Sequence, residues 1–175
     1  TGYIWGRQKI RSSYLCWTTV KPVIYSKARA KTMGGKSSLN KGKRGEREIV
    51  KLLQPVVDKV YTFFPHLGEP PRIQRNTLQS DRGGFDLVGL DWLAPEVKFQ
   101  ETLKLNVWWK QTAGQAKSHQ TPVLFYRQSN QKWRVRIKMY RELGHRRFFC
   151  VADISIDDFL LYFEHRLHHE LLKLD

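Results

Sequence analysis

Apolar positions along this chain follow two rhythms, one helical and one alternating. Between residues 45 and 60 they fall at Ile49, Val50, Leu52, Leu53, Val56, Val57 and Val60, the spacing of one helix face. Pro55 lies inside that run and has no N–H to donate, so the helix is expected to kink or end near Gln54. Residues 65–71, with Pro65, Gly68, Pro70 and Pro71, read as a loop. Three short stretches with strand character follow at 72–76, 85–90 and 95–99, separated by turns carrying Gly83-Gly84 and Asp91. Asn106 fits the N-cap of a second helix reaching about Lys117. Thr121-Pro122 opens a strand over 123–127, and Gln128-Ser129-Asn130-Gln131 turns the chain. The next run, Trp133-Arg134-Val135-Arg136-Ile137-Lys138-Met139, alternates strictly: apolar side chains take one face, and Arg134, Arg136 and Lys138 take the other. A last strand at 147–154 leads to a helix capped by Ser155, with Asp157 and Asp158 in its first turn, ending near Leu172. The order α-β-β-β-α-β-β-β-α predicts an α/β domain, a mixed sheet flanked by helices.

Composition narrows what such a domain does. A chain of 175 residues, 41% hydrophobic and 13% aromatic, supports one cored domain and excludes a disordered chain. No run approaches the roughly 18 uninterrupted apolar residues of a membrane span. Cys16 and Cys150 are distant and unaccompanied, which excludes a disulfide scaffold and fits a reducing, cytoplasmic setting. The formal charge of +15 points to a polyanionic partner. Seven cations and no acid fall in residues 1–32, a stretch without helical or strand period. Residues 1–40 are therefore read as a basic flexible extension, with Met33 as the native start and 34–45 as a Gly/Lys/Ser approach to the domain at 41–175.

Three side chains carry candidate chemistry. Asp86 sits between Phe85 and Leu87 in one apolar strand, and Glu96 and Lys98 flank Val97 in the next. Residues two apart in a strand share a face, so Glu96 and Lys98 project together and Val97 faces the core. A carboxylate in an apolar strand is costly unless it is paired or bound to a cation. Two such carboxylates with a backbone carbonyl are hard oxygen ligands suited to Mg²⁺. The bland alternative is a Glu–Lys pair at a strand end with Asp86 in a turn. Glu46, in Gly45-Glu46-Arg47-Glu48, falls in the first turn expected of the leading helix, where the helix dipole alone would favour it.

Taken together, Glu46, the strand Ile73-Gln74-Arg75-Asn76, Phe85-Asp86-Leu87-Val88 and Pro95-Glu96-Val97-Lys98 resemble the PD-(D/E)XK nuclease superfamily. Within it they look most like archaeal-type Holliday junction resolvases and small phage-encoded endonucleases. The resemblance covers about residues 41–127 and includes Trp108-Trp109-Lys110-Gln111 and Pro122 to Arg127. It implies a restriction-endonuclease-like fold with an α-β-β-β-α-β core, extra strands and a C-terminal helix. It implies catalytic roles for Glu46, Asp86, Glu96 and Lys98, with Asp86, Glu96, the Val97 carbonyl and Glu46 toward one or two Mg²⁺ ions (Mn²⁺ substituting) and Lys98 orienting the attacking water. Arg75 matches a phosphate-contacting position, and Gln111 and Gln115 lie where the scissile region would be contacted. Lys41, Lys43 and Arg44, with Arg134, Arg136 and Lys138, are the further candidate DNA contacts, although a cationic edge strand also protects against aggregation. The expected function is a Mg²⁺-dependent endodeoxyribonuclease selective for branched DNA, acting as a homodimer, in prokaryotic or phage-infected cells, with no small-molecule cofactor. A restriction-like or repair nuclease on duplex DNA, or a silent DNA-binding module, are the alternatives.

Two other signals carry less. His165 and His169 have zinc-compatible spacing on the last helix but lack further ligands, so a surface role is expected. Cys150 between Phe149 and Val151 is expected to be a small buried hydrophobe.

Overall fold

The computed structural model describes residues 34–77, 84–143 and 146–174. The reading of Met33 as a native start, and of the segment before it as an extension, lies outside these. Helix α1 (Gly34–Tyr61) is followed by a 3₁₀ turn at Pro65–Leu67 and short strands β1 (Gln74–Arg75) and β2 (Leu87–Val88). Then come β3 (Leu93–Phe99), α2 (Leu105–Gln115), β4 (Thr121–Arg127), β5 (Arg134–Leu143), β6 (Arg146–Ser155) and α3 (Ile156–Leu171). The element order matches the α-β-β-β-α-β-β-β-α expectation. The strands divide, however: β1 and β2 pair antiparallel by themselves, and the four-stranded sheet has the order β3-β4-β5-β6. Only β3 and β4 run parallel, joined through α2, so the sheet is mixed. Among the described residues, no helix is long and apolar enough to cross a membrane.

α1 corrects three expectations. The segment 34–45 is helical rather than a flexible approach, Glu46 therefore lies well inside the helix rather than in its first turn, and the helix does not end near Gln54 but continues through Pro55 to Tyr61. Ile49, Leu53, Val57 and Val60, spaced four, four and three apart, are all fully buried. Burial contributes roughly 1.5–3 kcal/mol per large aliphatic side chain. The two valines beyond Pro55 therefore offset the ~3 kcal/mol that an interior proline costs. The front of α1 is held to the sheet as well. Gly45 lies so close that a Cβ there would meet Trp133 at 3.1 Å and Phe99 at 3.3 Å. Next to it, Glu48 accepts from Trp133 Nε1 at 3.1 Å and lies 2.9 Å from the Arg127 guanidinium. That guanidinium lies against both the Phe99 and Trp133 rings, 4.3 and 4.7 Å from their centroids. Burial pushes the Glu48 carboxyl up, but hydrogen bonds from Arg44 and Trp133 and the charge of Arg127 outweigh it and hold the group below its usual range.

The main core lies between one sheet face and the α1–α3 pair. Phe125 of β4 meets Phe159 of α3 edge-on at 5.0 Å, and Val123, Val135, Ile137, Phe163 and Leu167 fill in around them. The opposite face is covered by α2, whose Trp108 packs on Leu124 and Tyr126. Ser155 caps α3 as expected, accepting from Asp158 N at 3.0 Å. Asn106 does not cap α2: Lys104 is the N-cap residue, and the Asn106 side chain accepts from Arg136 Nη1 at 3.1 Å.

β4 stops pairing with β5 at Ile137, while β5 and β6 stay paired from Arg134↔Ser155 to Leu143↔Arg146. The far end of this hairpin is therefore a two-stranded arm beyond the core. This corrects the expectation that Cys150 is buried: Cys150 and its arm partner Met139 are both exposed.

Candidate active site

β3 is buried along its length and alternates as the sequence requires. Leu93, Val97 and Phe99 join the α1–α3 core, which places Ala94, Glu96 and Lys98 on the α2 face. The register continues that face across the sheet, from Glu96 to Leu124 to Arg136 and from Lys98 to Tyr126 to Arg134.

Asp86 lies just ahead of β2 and is tied by two hydrogen bonds to β3 and by a third to Asn76, just past β1. Its N–H donates to the Pro95 carbonyl at 3.1 Å, its carbonyl accepts from Asn76 N at 2.8 Å, and its Oδ2 accepts from Val97 N at 2.6 Å. The loop permits this through Gly89, whose φ of +125° and approach to the Arg72 carbonyl leave no room for a Cβ. Asp86 is buried, and Glu96 is only 1% exposed. One Glu96 oxygen contacts Lys98 Nζ, and the other, Oε2, has no hydrogen-bond partner. Burial raises the Glu96 carboxyl above its usual range, the nearby Asp86 charge raises it further, and Lys98 opposes them incompletely. Two carboxylates and one ammonium thus converge at one edge of the sheet.

Glu46 projects from α1 toward the same region, close enough to raise Glu96. Its carboxylate is engaged by Arg75 of β1, an ion pair that the sequence did not suggest. Among the described residues, no group of three His, Cys, Asp or Glu side chains is arranged to hold a metal ion. The family model described as "Phage putative PDDEXK endonuclease" matches residues 37–165. The chain belongs to that family. No curated protein and no solved structure matches it.

Endonucleases of the PD-(D/E)XK type typically use a divalent metal. The donors here fit one in chemistry: a buried carboxylate oxygen without a partner beside a second buried carboxylate is a hard-oxygen pair that a cation would satisfy.

The candidate DNA contacts are placed unevenly. Lys43 is exposed on α1, and Arg44 is exposed but pairs with Glu48 at 2.8 Å. Lys41 contacts Glu101 at 2.5 Å, and this ion pair and Ser129 bring the Glu101 carboxyl down to about 2. Gln111 and Gln115 are exposed on α2. Arg136 is no free phosphate contact, because it holds Asp153 through two bonds of 2.8 and 2.6 Å. Those bonds keep the Asp153 carboxyl low and raise the guanidinium. Arg134 and Lys138 remain exposed on the same strand. Trp108 is core, while Trp109 is half-buried on the rim of a cleft. His165 and His169 are exposed, and His168 packs on Phe63 and Phe64 at 5.4 and 5.6 Å.

Proposed function

We propose that this chain is a Mg²⁺-dependent endodeoxyribonuclease of restriction-endonuclease-like fold, with its catalytic centre at Asp86, Glu96 and Lys98. The observation that carries the reading is Glu96: a buried carboxylate with an unpartnered oxygen, beside buried Asp86 and touching Lys98. Leaving a buried acceptor unmade costs ~1–3 kcal/mol, a cost that a cation bound at that oxygen would offset.

Asp86 and Glu96, with the Val97 carbonyl, would hold the ion, and Glu46 would contribute directly or through water. A bound Mg²⁺ supplies Lewis-acid polarisation of a phosphate oxygen and a more acidic water. The chain's own groups do the rest. The Val97 N–H fixes the Asp86 carboxylate in place. Glu96 holds the Lys98 ammonium at the site, where it orients the attacking water and offsets charge on the phosphate. Arg75 holds Glu46 and presents a cation where the phosphate backbone would pass.

The substrate in this reading is a branched DNA of the four-way-junction type, cut by a homodimer in the cytoplasm of a phage-infected cell. The likeness of the 41–127 motif order to junction resolvases supports it, and paired symmetric cuts require two copies. The test is incubation with Mg²⁺ or EDTA and labelled four-way junctions, flaps and linear duplex. Paired symmetric nicks in junctions alone are expected. Cutting of duplex would replace the substrate with that of a restriction-like or repair nuclease, and retained binding without cutting would leave a silent DNA-binding module.

A further inference from the structure

The β5–β6 arm and the cleft beneath it belong to no part of the centre described above. Beyond Ile137 the arm has no β4 neighbour, yet it carries Tyr140, 69% exposed, and Phe149, 52% exposed, with ring centroids 4.2 Å apart. Lys138 Nζ stands 4.0 Å from the Phe149 ring. Under the arm lies an open cleft of about 750 Å³ between α2, residues 116–122 and α3. Three aromatic side chains, Trp109, Tyr140 and Tyr162, line it together with Lys117, Lys138 and Arg166, and no carboxylate is among its lining residues. Arg166 shares its charge with Glu170 at 2.6 Å, which leaves the two lysines as the cleft's principal cations.

We infer that this cleft binds unpaired nucleotides of a DNA strand. Aromatic faces beside lysines, without acids, suit a chain that presents bases and phosphates together, because every base can stack and every phosphate is anionic. A second copy of this chain would have to meet the lysines with acids, and the chain is too basic to favour that at +15. Lys138 and Tyr140 lie on the same sheet face as Glu96, two strands across and two and four residues further along, respectively. At ~4.8 Å between strands and ~3.3 Å per residue, Tyr140 is on the order of 16 Å from Glu96. That is roughly five base steps at ~3.4 Å each. A single strand passing from the centre around α2 would meet the cleft, so the inference, which rests on the nuclease reading for its substrate, adds DNA with unpaired bases to what the site takes.

The experiment is fluorescence polarisation of a short 5′-labelled oligothymidylate, with a blunt duplex alongside, on the full chain in EDTA. Tyr140→Ala removes an exposed ring and is expected to leave the thermal melt unchanged, while weakening oligothymidylate binding roughly five- to a hundredfold. Duplex binding should change less than about twofold. Lys117→Glu should weaken the oligonucleotide as well and make its residual binding less salt-dependent. The inference is overturned if the wild-type chain does not hold the oligonucleotide, or if Tyr140→Ala binds it equally well. It is also overturned if sedimentation shows a dimer that Tyr140→Glu disrupts with oligonucleotide affinity unaltered. Since binding is read without metal, failure to cleave any DNA would defeat the nuclease reading and leave this result standing.

Discussion

Replacing Glu96 by Gln removes the charge at the centre of the proposed site and keeps its shape. The Glu96 carboxylate is 1% exposed, has one oxygen without a partner, and lies beside Asp86. Each of these penalises the ionised form. Lys98 favours it, but its side chain is 20% exposed and stays hydrated if the pair is broken. A solvent-reaching pair contributes about 0–1 kcal/mol, against ~1–3 kcal/mol or more for the unmade charged acceptor. The cost dominates. Metal-free Glu96→Gln is therefore expected to be more stable than wild type at neutral pH, by about 1 kcal/mol or more. For a chain of this size that is a rise in Tm of about 2–4 °C per kcal/mol. The pH dependence has a definite sign. Folding raises the carboxyl above its ordinary 4.5, so the protonated group's contribution is fully present below about 4.5 and is lost as pH rises through the folded value. The stability gap between Glu96→Gln and wild type should open over that window and stay constant above it. Calorimetric melts in EDTA across pH read this directly, and Mg²⁺ should then raise the wild-type Tm while leaving Glu96→Gln unmoved. A Glu96→Gln protein less stable than wild type in EDTA would show the carboxylate to be a structural partner of Lys98 and refute the argument.

Further substitutions probe what positions the centre. Gly89→Ala places a Cβ 2.5 Å from the Arg72 carbonyl at a φ of +125°, so melts should show a loss of at least ~1–3 kcal/mol, and cleavage should fall with the displacement of Asp86. Gly45→Leu should cost ~1–3 kcal/mol by overpacking against Trp133 and Phe99, whereas Gly45→Ala should be close to neutral, since helix propensity returns about 1 kcal/mol. Phe159→Ala should cost ~3–5 kcal/mol, because the ring sits fully buried between Phe125 and Phe163.

Much of this was legible in the chain because local pattern and tertiary burial agree. The Ile49–Leu53–Val57–Val60 spacing, the alternation from Trp133 to Ile137 and the Ser155 cap each report the face that the fold buries. The pairing of Glu96 with Lys98 on one side of β3 follows from a period of two, and Asp86 lies beside them through hydrogen bonds to Pro95 and Val97. What escaped sequence reading depends on distant partners. Pro55 stays helical because Val57 and Val60 are buried beyond it, and the front of α1 meets partners far along the chain, Lys41 at Glu101 and Gly45 against Phe99 and Trp133. The alternation of β5 continued past Ile137 where its neighbour β4 did not, so Met139 and Cys150 kept an apolar pattern without a core to meet. Arg75 and Arg136 read as free cations in sequence, and Glu46 and Asp153 claim them in the fold.

The central claim is that Asp86, Glu96 and Lys98 act together on a phosphodiester with a divalent ion. Its most direct measurement is the single-turnover cleavage rate of labelled DNA in Mg²⁺ for wild type, Asp86→Asn and Lys98→Ala, with DNA affinity measured in parallel. The account predicts Mg²⁺-dependent cutting by wild type and a loss of at least ~100-fold in each variant, with affinity largely retained. Variants that cut at the wild-type rate, or cleavage that persists undiminished in EDTA, would contradict it.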